Sequence, residues 1–240
     1  AGSTDKQVLH ALLQSVQRAS GNRMERLAFG AVDGSTAQAV AMAEELNSER
    51  FVLAGQTAVV DGKESPCFLA AALAALAVSS SDPAVPLHST ALQGVQQVKP
   101  ALTENEIDQL VLGGVTPFEN TAGRAEVIRT VTTRTTTGGE ADSTFRELST
   151  ILTIDRVLTS LRGTLKGRMK GAKNNQTTRM AIATQTQVEL EAHRLSGLID
   201  AYETPVVTPS ESDPGVCLVE VTFAVACGLN QIRITAHVSV

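Results

Sequence analysis

The stretch Val216-Cys217-Leu218-Val219-Glu220-Val221-Thr222-Phe223-Ala224-Val225 decides how the chain is read. Val219, Val221, Phe223 and Val225 share one parity, which places them on one face of a strand. Gly228-Leu229-Asn230 breaks the pattern, and Ile232-Arg233-Ile234-Thr235-Ala236-His237-Val238-Ser239-Val240 resumes it. The sequence thus predicts strands over 216–226 and 231–240, the second running to the last residue. Such a strand is either an interior member of its own sheet or an edge that pairs with another copy. Physics alone favours the interior position.

Upstream lie two helices. One is predicted over 142–170, with an apolar stripe of Phe145, Leu148, Leu152, Leu158, Leu161 and Leu165. The other is predicted over 184–202 and presents Val188, Ala192, Leu195, Leu198 and Tyr202, with Pro205 ending it. Gly163, Gly167 and Gly171 recur every four residues. An interior helix glycine costs about 1 kcal/mol against alanine, so the triad implies either close approach of another backbone or a helix that frays. The β-branched run Arg124 to Thr133 predicts a further strand.

The first block alternates. A helix capped by Thr4 carries Val8, Leu9, Leu12, Leu13 and Val16, and a strand follows over 27–32. Asp33-Gly34-Ser35 leads into a helix with Ala39, Val40, Ala43 and Leu46 on its face. Arg50 to Val60 reads as strand broken at Gly55, and Ser65-Pro66 opens an Ala/Leu helix that is apolar all round and therefore needs cover on most sides. Strand and helix in this alternation predict parallel α/β layering. Asp82 to Pro100, with three prolines, reads as an extended connection. Thr103 and Glu106 form a capping box opening a short helix that ends at Gly113-Gly114. The fold class is α/β, α+β overall: a layered core over 1–100, then a C-terminal region over 101–240 of two helices and strands.

Composition narrows function. Hydrophobic residues at 42% and charged residues at 19% fit a globular chain. A net charge of −5 and the absence of Trp argue against nucleic-acid binding. Cys67, Cys217 and Cys227 lack metal or disulfide spacing and fit a reducing compartment such as cytoplasm. The 12-residue apolar run from Cys67 to Val78 is too short to span a bilayer. No nucleophile elbow, zinc, phosphate-loop or dinucleotide motif occurs, and His10, His88, His193 and His237 sit in four separate elements. No cofactor is implied. The turn Asp33-Gly34-Ser35-Thr36 stands where an α/β fold can hold phosphate; a plain helix cap accounts for it better, since Asp and Ser are preferred caps. Between Arg156 and Arg179 the chain places seven basic residues and no acidic one. That is either a solvated face or a contact for an acidic protein surface.

From Arg124 onward the residues resemble the C-terminal part of contractile tail sheath proteins, which clothe the tails of contractile phages and related injection machines. The likeness rests on Arg124 to Thr133 ending in Val131-Thr132-Thr133, on Asp142 to Thr150, on Ile154-Asp155-Arg156-Val157 leading into the basic helix, on Ile182-Ala183-Thr184, and on the alternating tail. Residues 27–112 fit that family's α/β middle region more loosely. Family members are usually longer, with an N-terminal arm, whereas this chain opens directly on a helix.

The resemblance implies a structural protein, not an enzyme. Copies stack as hexameric rings around an inner tube, and contraction drives the tube through an envelope. It implies a virion tail component assembled in host cytoplasm. Its partners would be other copies, the tube protein, the baseplate and the tail terminator, with no nucleic acid and no membrane insertion. Ile232, Arg233, Ile234, Thr235, Ala236, His237 and Val238 are expected to form the subunit-joining strand. Arg162, Lys166, Arg168, Lys170 and Lys173 are expected to face the tube or a neighbour. The alternatives are a small-molecule or nucleotide-binding domain using the 33–36 turn, or another self-assembling tail component.

Overall fold

A computed structural model describes residues 5–228, with the side chain of Arg168 outside the description. The expected strand 231–240 and the Thr4 cap lie outside the described residues. The fold is mixed α/β, with many short strands in small sheets. It divides into two compact units: the first runs to Ile151 and also takes in Gly228, and the second spans Leu152–Cys227.

In the first unit, α1 (Lys6–Gly21) is capped by Asp5, whose carboxylate accepts from the Gln7 and Val8 amides. It buries Leu9, Leu13 and Val16. β1 (Ala28–Ala31), α2 (Thr36–Leu46) and β2 (Phe51–Ala54) form the expected parallel unit, with Ala28 opposite Phe51 and Ala31 opposite Ala54. β2 is buried throughout, as befits a parallel strand covered on both faces. A Cβ on Gly30 would sit 2.7 Å from the Phe51 ring and 2.9 Å from Leu9, so only glycine lets these layers close.

β3 (Thr57–Val60) and β4 (Lys63–Ser65) form a hairpin whose turn residues, Asp61 and Gly62, both have positive φ. α3 (Pro66–Ser79) follows. Then β5 (Gln97–Lys99) pairs with the other edge of β3. The 82–100 connection therefore ends in a strand. Its proline-rich beginning hides a three-residue strand too short to show a period. α3 also differs from expectation. Leu69, Ala70, Leu73 and Ala77 are buried, but Ala71, Ala75 and Val78 are open, Val78 by 85%.

α4 (Glu104–Leu112) starts on the Thr103–Glu106 capping box. β6 (Phe118–Thr121) and β7 (Arg124–Val127) make a hairpin, and β8 (Thr136–Thr137) and β9 (Glu140–Ala141) a smaller one. The strand expected over 124–133 is thus half as long. Beyond Val127 the backbone finds scattered partners instead of a ladder: Thr132 N–H donates to Arg146 O, and Thr133 N–H to Phe51 O. Thr130, Thr132 and Thr133 are buried, and their β-branching mimics a strand in sequence.

Several side chains take the place of a missing strand by binding both backbone groups of one residue. Gln56 accepts from Phe118 N–H at 2.8 Å and donates to Phe118 O at 3.1 Å and Pro100 O at 2.9 Å. Asn120 does the same to Val98, Thr116 to Val131 and Thr133 to Ser48. Asn47, left-handed at the end of α2, accepts from the Thr135 and Thr136 amides.

In the second unit, α5 (Leu148–Arg168) begins six residues later than expected, its first turn belonging to the first unit. Asp142 is committed to a turn, accepting from Thr144 N–H at 2.8 Å and from the Thr137 hydroxyl. α6 (Gln176–Leu195) replaces the helix expected over 184–202. Asn175 caps it through Thr178 N–H at 2.9 Å. It stops before Gly197, whose φ of +78° only glycine adopts readily. Leu198 onward leaves the helix, and β10 (Ile199–Tyr202), β11 (Val206–Pro209), β12 (Cys217–Glu220) and β13 (Phe223–Val225) follow.

Replacing Gln56 with Leu removes the buried partner of the Phe118 amide and carbonyl, and the part-buried one of the Pro100 carbonyl. The expected loss is about 3 kcal/mol of unfolding free energy, read by urea denaturation; a loss below about 0.5 kcal/mol contradicts the assigned clamp.

Candidate assembly surfaces

The decisive stretch at 216–226 is two strands joined by a break at Val221-Thr222. β12 pairs antiparallel with β11, Val206 opposite Glu220 and Pro209 opposite Cys217. β13 pairs antiparallel with β10, with a bulge between Ile199 and Ala201. Glu203 N–H donates to Thr222 O at the junction, so the two hairpin legs form one bent ribbon. The alternation read from sequence holds. Cys217, Val219, Val221, Phe223 and Val225 are partly covered, while Leu218, Glu220, Thr222 and Ala224 are exposed.

The ribbon stands because it lies on helices. A two-stranded hairpin alone is marginal in water. Here Val221, Phe223 and Tyr202 pack on a core of Val157 and Leu161 from α5, Leu190 from α6, and Ile199. Asn174 holds the ribbon's loop by donating to Pro214 O at 2.8 Å and Val216 O at 3.1 Å. Each leg is two strands wide among the described residues. Its long edges therefore have no further strand beside them there.

The basic run wraps the outward side of α5 and the turn after it. Arg156, Arg162, Lys166, Lys170 and Lys173 are exposed. Lys166, Lys170 and Lys173 make no ion pair among the described residues. Gly163 and Gly167 lie on the same outward side. A Cβ at either would meet nothing within 4 Å, and the helix continues through both. Neither fraying nor a close neighbour within the described residues explains them. Gly171 lies beyond the helix at φ +78° and serves the turn.

Residues 1–133 match the phage tail sheath protein central domain, and residues 140–239 match the phage tail sheath C-terminal domain. The chain belongs to the phage tail sheath protein family. This is a family of structural, non-enzymatic proteins. The tail sheath protein of Bacillus phage SP01 is 30% identical to this sheath chain over 190 residues, covering 75% of the chain and 33% of the phage protein. The crystal structure of the sheath tail protein from Desulfitobacterium hafniense superposes with a TM-score of 0.70 at 14% identity, over 93% of the chain and 55% of that protein. The contracted helical sheath of the anti-feeding prophage superposes with a TM-score of 0.66 at 14% identity, over 99% of the chain and 67% of that protein. At these identities the two structures establish the fold. The sheath chain spans a third of the length of its curated relative.

The 33–36 turn of the sheath chain is a helix cap. Ser35 accepts from Gln38 N–H, and Gln38 Oε1 accepts from Ser35 N–H at 2.8 Å. The Gln38 side chain also fills the space over Gly34, where a Cβ would meet its Oε1 at 2.4 Å. The amide that would hold an anion is already occupied. Among the described residues no cluster of His, Cys, Asp or Glu is placed to hold a metal, and no helix is long and apolar enough to cross a membrane.

α6 overturns the expected stripe. Ile182, Gln185, Thr186 and Leu190 are buried, whereas Val188 and Leu195 are 56% and 74% exposed. Because the helix begins eight residues earlier and its far side holds the core, the apolar series at 188, 192 and 195 points outward. Tyr202 donates to Glu191 at 3.1 Å, and Arg194 donates to both Glu191 oxygens at 2.7 and 2.9 Å. Those Arg194 hydrogen bonds hold the Glu191 carboxyl below its ordinary range.

His193 on the same helix has a buried Nε2 without a hydrogen-bond partner. Burial lowers its pKa, Glu189 opposes the shift and Arg156 adds to it. The native state therefore favours neutral imidazole, while the unfolded chain takes up its proton near about 6.5. Stability is present above that value and is lost as pH falls below it. Thermal melts of His193→Gln should lose the part of the pH dependence centred there, and a profile unchanged by the substitution refutes the assignment. Gly163→Ala should raise stability by about 1 kcal/mol, because the helix gains propensity and the methyl meets open space; destabilisation on thermal melting would show a contact at that face.

Proposed function

We propose that the chain is a polymerising sheath subunit. Copies stack as hexameric rings around an inner tube, and contraction of the stack drives that tube through a target envelope. In this reading it resides in the virion tail, is assembled in host cytoplasm, and meets the tube protein, the baseplate and the tail terminator as well as its own copies. The observation that carries the proposal is the bent ribbon of β10–β13. It presents backbone edges on a helix-backed platform, and the sequence supplies a matching alternating segment in Ile232 to Val238. A strand added to such an edge bonds through the backbone, a joint that transmits tension yet lets subunit bodies rotate. The contracted sheath of the anti-feeding prophage shares this fold and is itself a helical assembly.

Arg162, Lys166, Arg168, Lys170 and Lys173 form, in this reading, a contact with an acidic surface on the tube or a neighbouring subunit. With seven basic residues and no acidic one between 156 and 179, such a contact guides orientation and weakens with salt.

Deleting residues 231–240 should abolish tubular or ring assemblies in negative-stain micrographs and leave the circular dichroism of a folded chain. Polymers that persist after the deletion, or an unfolded product, overturn the joint. Reversing Lys166, Lys170 and Lys173 to Glu should lower assembly yield and flatten its salt dependence; an unaltered yield and salt response place the basic run in solvent.

A further inference from the structure

We propose that the acidic outer face of the β10–β13 ribbon seats the basic side of α5 of a second copy of the chain. The inference rests on the sheath reading and adds to it which acidic surface the basic run meets. Between Arg194 and Arg233 the sequence holds five acidic residues, Asp200, Glu203, Glu211, Asp213 and Glu220, and no basic one. All five are exposed, and none makes an ion pair among the described residues. The run from Arg156 to Arg179 is the counterpart of opposite sign in the same unit.

The fold sets these charges on opposite sides of that unit. The inner side of the ribbon, with Tyr202, Val221 and Phe223, lies against Val157 and Leu161 of α5. Successive strand residues alternate sides, so Glu203 and Glu220, next to Tyr202 and Val221, point away from the helices. Asp200 follows buried Ile199 at the bulge and is exposed as well. At about 100° per residue, Arg156 and Lys166 fall on the side of α5 away from Val157 and Leu161, and both are exposed. The unit's core stands between Glu203 and Glu220 on one side and Arg156 and Lys166 on the other. Within one chain these cannot pair; between two copies they can.

The acidic face also offers apolar area. Val206 and Leu218, exposed by 52 and 47%, lie beside Glu220: Val206 is its cross-strand partner and Leu218 precedes it by two residues on the same side. Lysine and arginine stems cover such surface while their charged heads reach the carboxylates. Charge then selects which faces meet. Two ribbons, or two α5 sides, would set like charge on like. The contact is therefore heterologous. It repeats head to tail and builds rings or helices, unlike a two-fold contact that closes as a dimer.

The test uses three variants of the full chain in sedimentation analysis at low salt: D200K/E203K/E220K in the ribbon, K166E/K170E/K173E in the basic run, and a chain carrying all six changes. All six positions are exposed, and circular dichroism checks that each variant folds. Either triple variant alone should self-associate about tenfold more weakly than the unmodified chain, because both of its faces then carry one sign. Mixing the two triple variants should restore association, since each face of one complements the other. The chain with all six changes should associate with itself and exclude the unmodified chain. Triple variants that associate like the unmodified chain, a loss confined to one of them, or a loss that neither the mixture nor the exchanged chain recovers overturns the contact. An unmodified chain that stays monomeric at its highest soluble concentration overturns it too. Failure of the terminal-strand joint reads differently: removing residues 231–240 then leaves association unchanged, while charge exchange still restores it.

Discussion

Every buried backbone N–H and C=O needs a partner, and the described residues meet that demand with sheets two or three strands wide. A narrow sheet leaves edges. In the first unit, side chains close them. Gln56, Thr116, Asn120 and Thr133 each donate to and accept from the backbone of one residue, as a neighbouring strand would. The unit therefore completes itself without added strands at those points, and its core of Leu9, Phe51, Leu53 and Leu110 is sealed.

The second unit uses a different solution. Its ribbon is held from one side by α5 and α6 through Val157, Leu161 and Leu190. No side chain with the two-way bonding of Gln56 or Asn120 is seen along its edges among the described residues. Under the proposed function this division has a mechanical sense. A self-contained body keeps its shape, while an edge that a neighbouring copy completes carries load between subunits. The helices do not divide in the same way: α1 and α2 bury one side and leave a largely polar other side, but α3 in the first unit leaves Val78 open and α6 in the second leaves Val188 and Leu195 in water.

Much of this was legible from residue order. The cap at Ser35, the capping box at Thr103, the parallel β1–α2–β2 unit and the inward set Val219, Val221, Phe223 all follow from local rules. The misreadings share a cause. Threonine-rich Arg124 to Thr133 has the composition of a strand, but Thr132 and Thr133 serve as buried tethers, a role fixed by Ser48, Phe51, Phe145 and Arg146 far along the chain. The α6 boundaries lie earlier than the apolar spacing predicts because Asn175 caps the helix and because Leu198 and Tyr202 keep helical spacing after Gly197 has ended it. Asn47 carried a usable signal, an asparagine just past a helix end, whereas Gln56 carried none.

By itself the sequence determined most of the local periodicities and caps, where cations gather, and a likeness to tail sheath proteins. These are properties of neighbours along the chain, set by 3.6- and 2-residue repeats and by capping chemistry. Only the tertiary structure decided which apolar side of α6 meets the core, which strands share a ribbon, and which polar side chains replace missing strands. Those outcomes depend on partners dozens of residues away, and the free energy of burying a face is settled by what comes to lie against it.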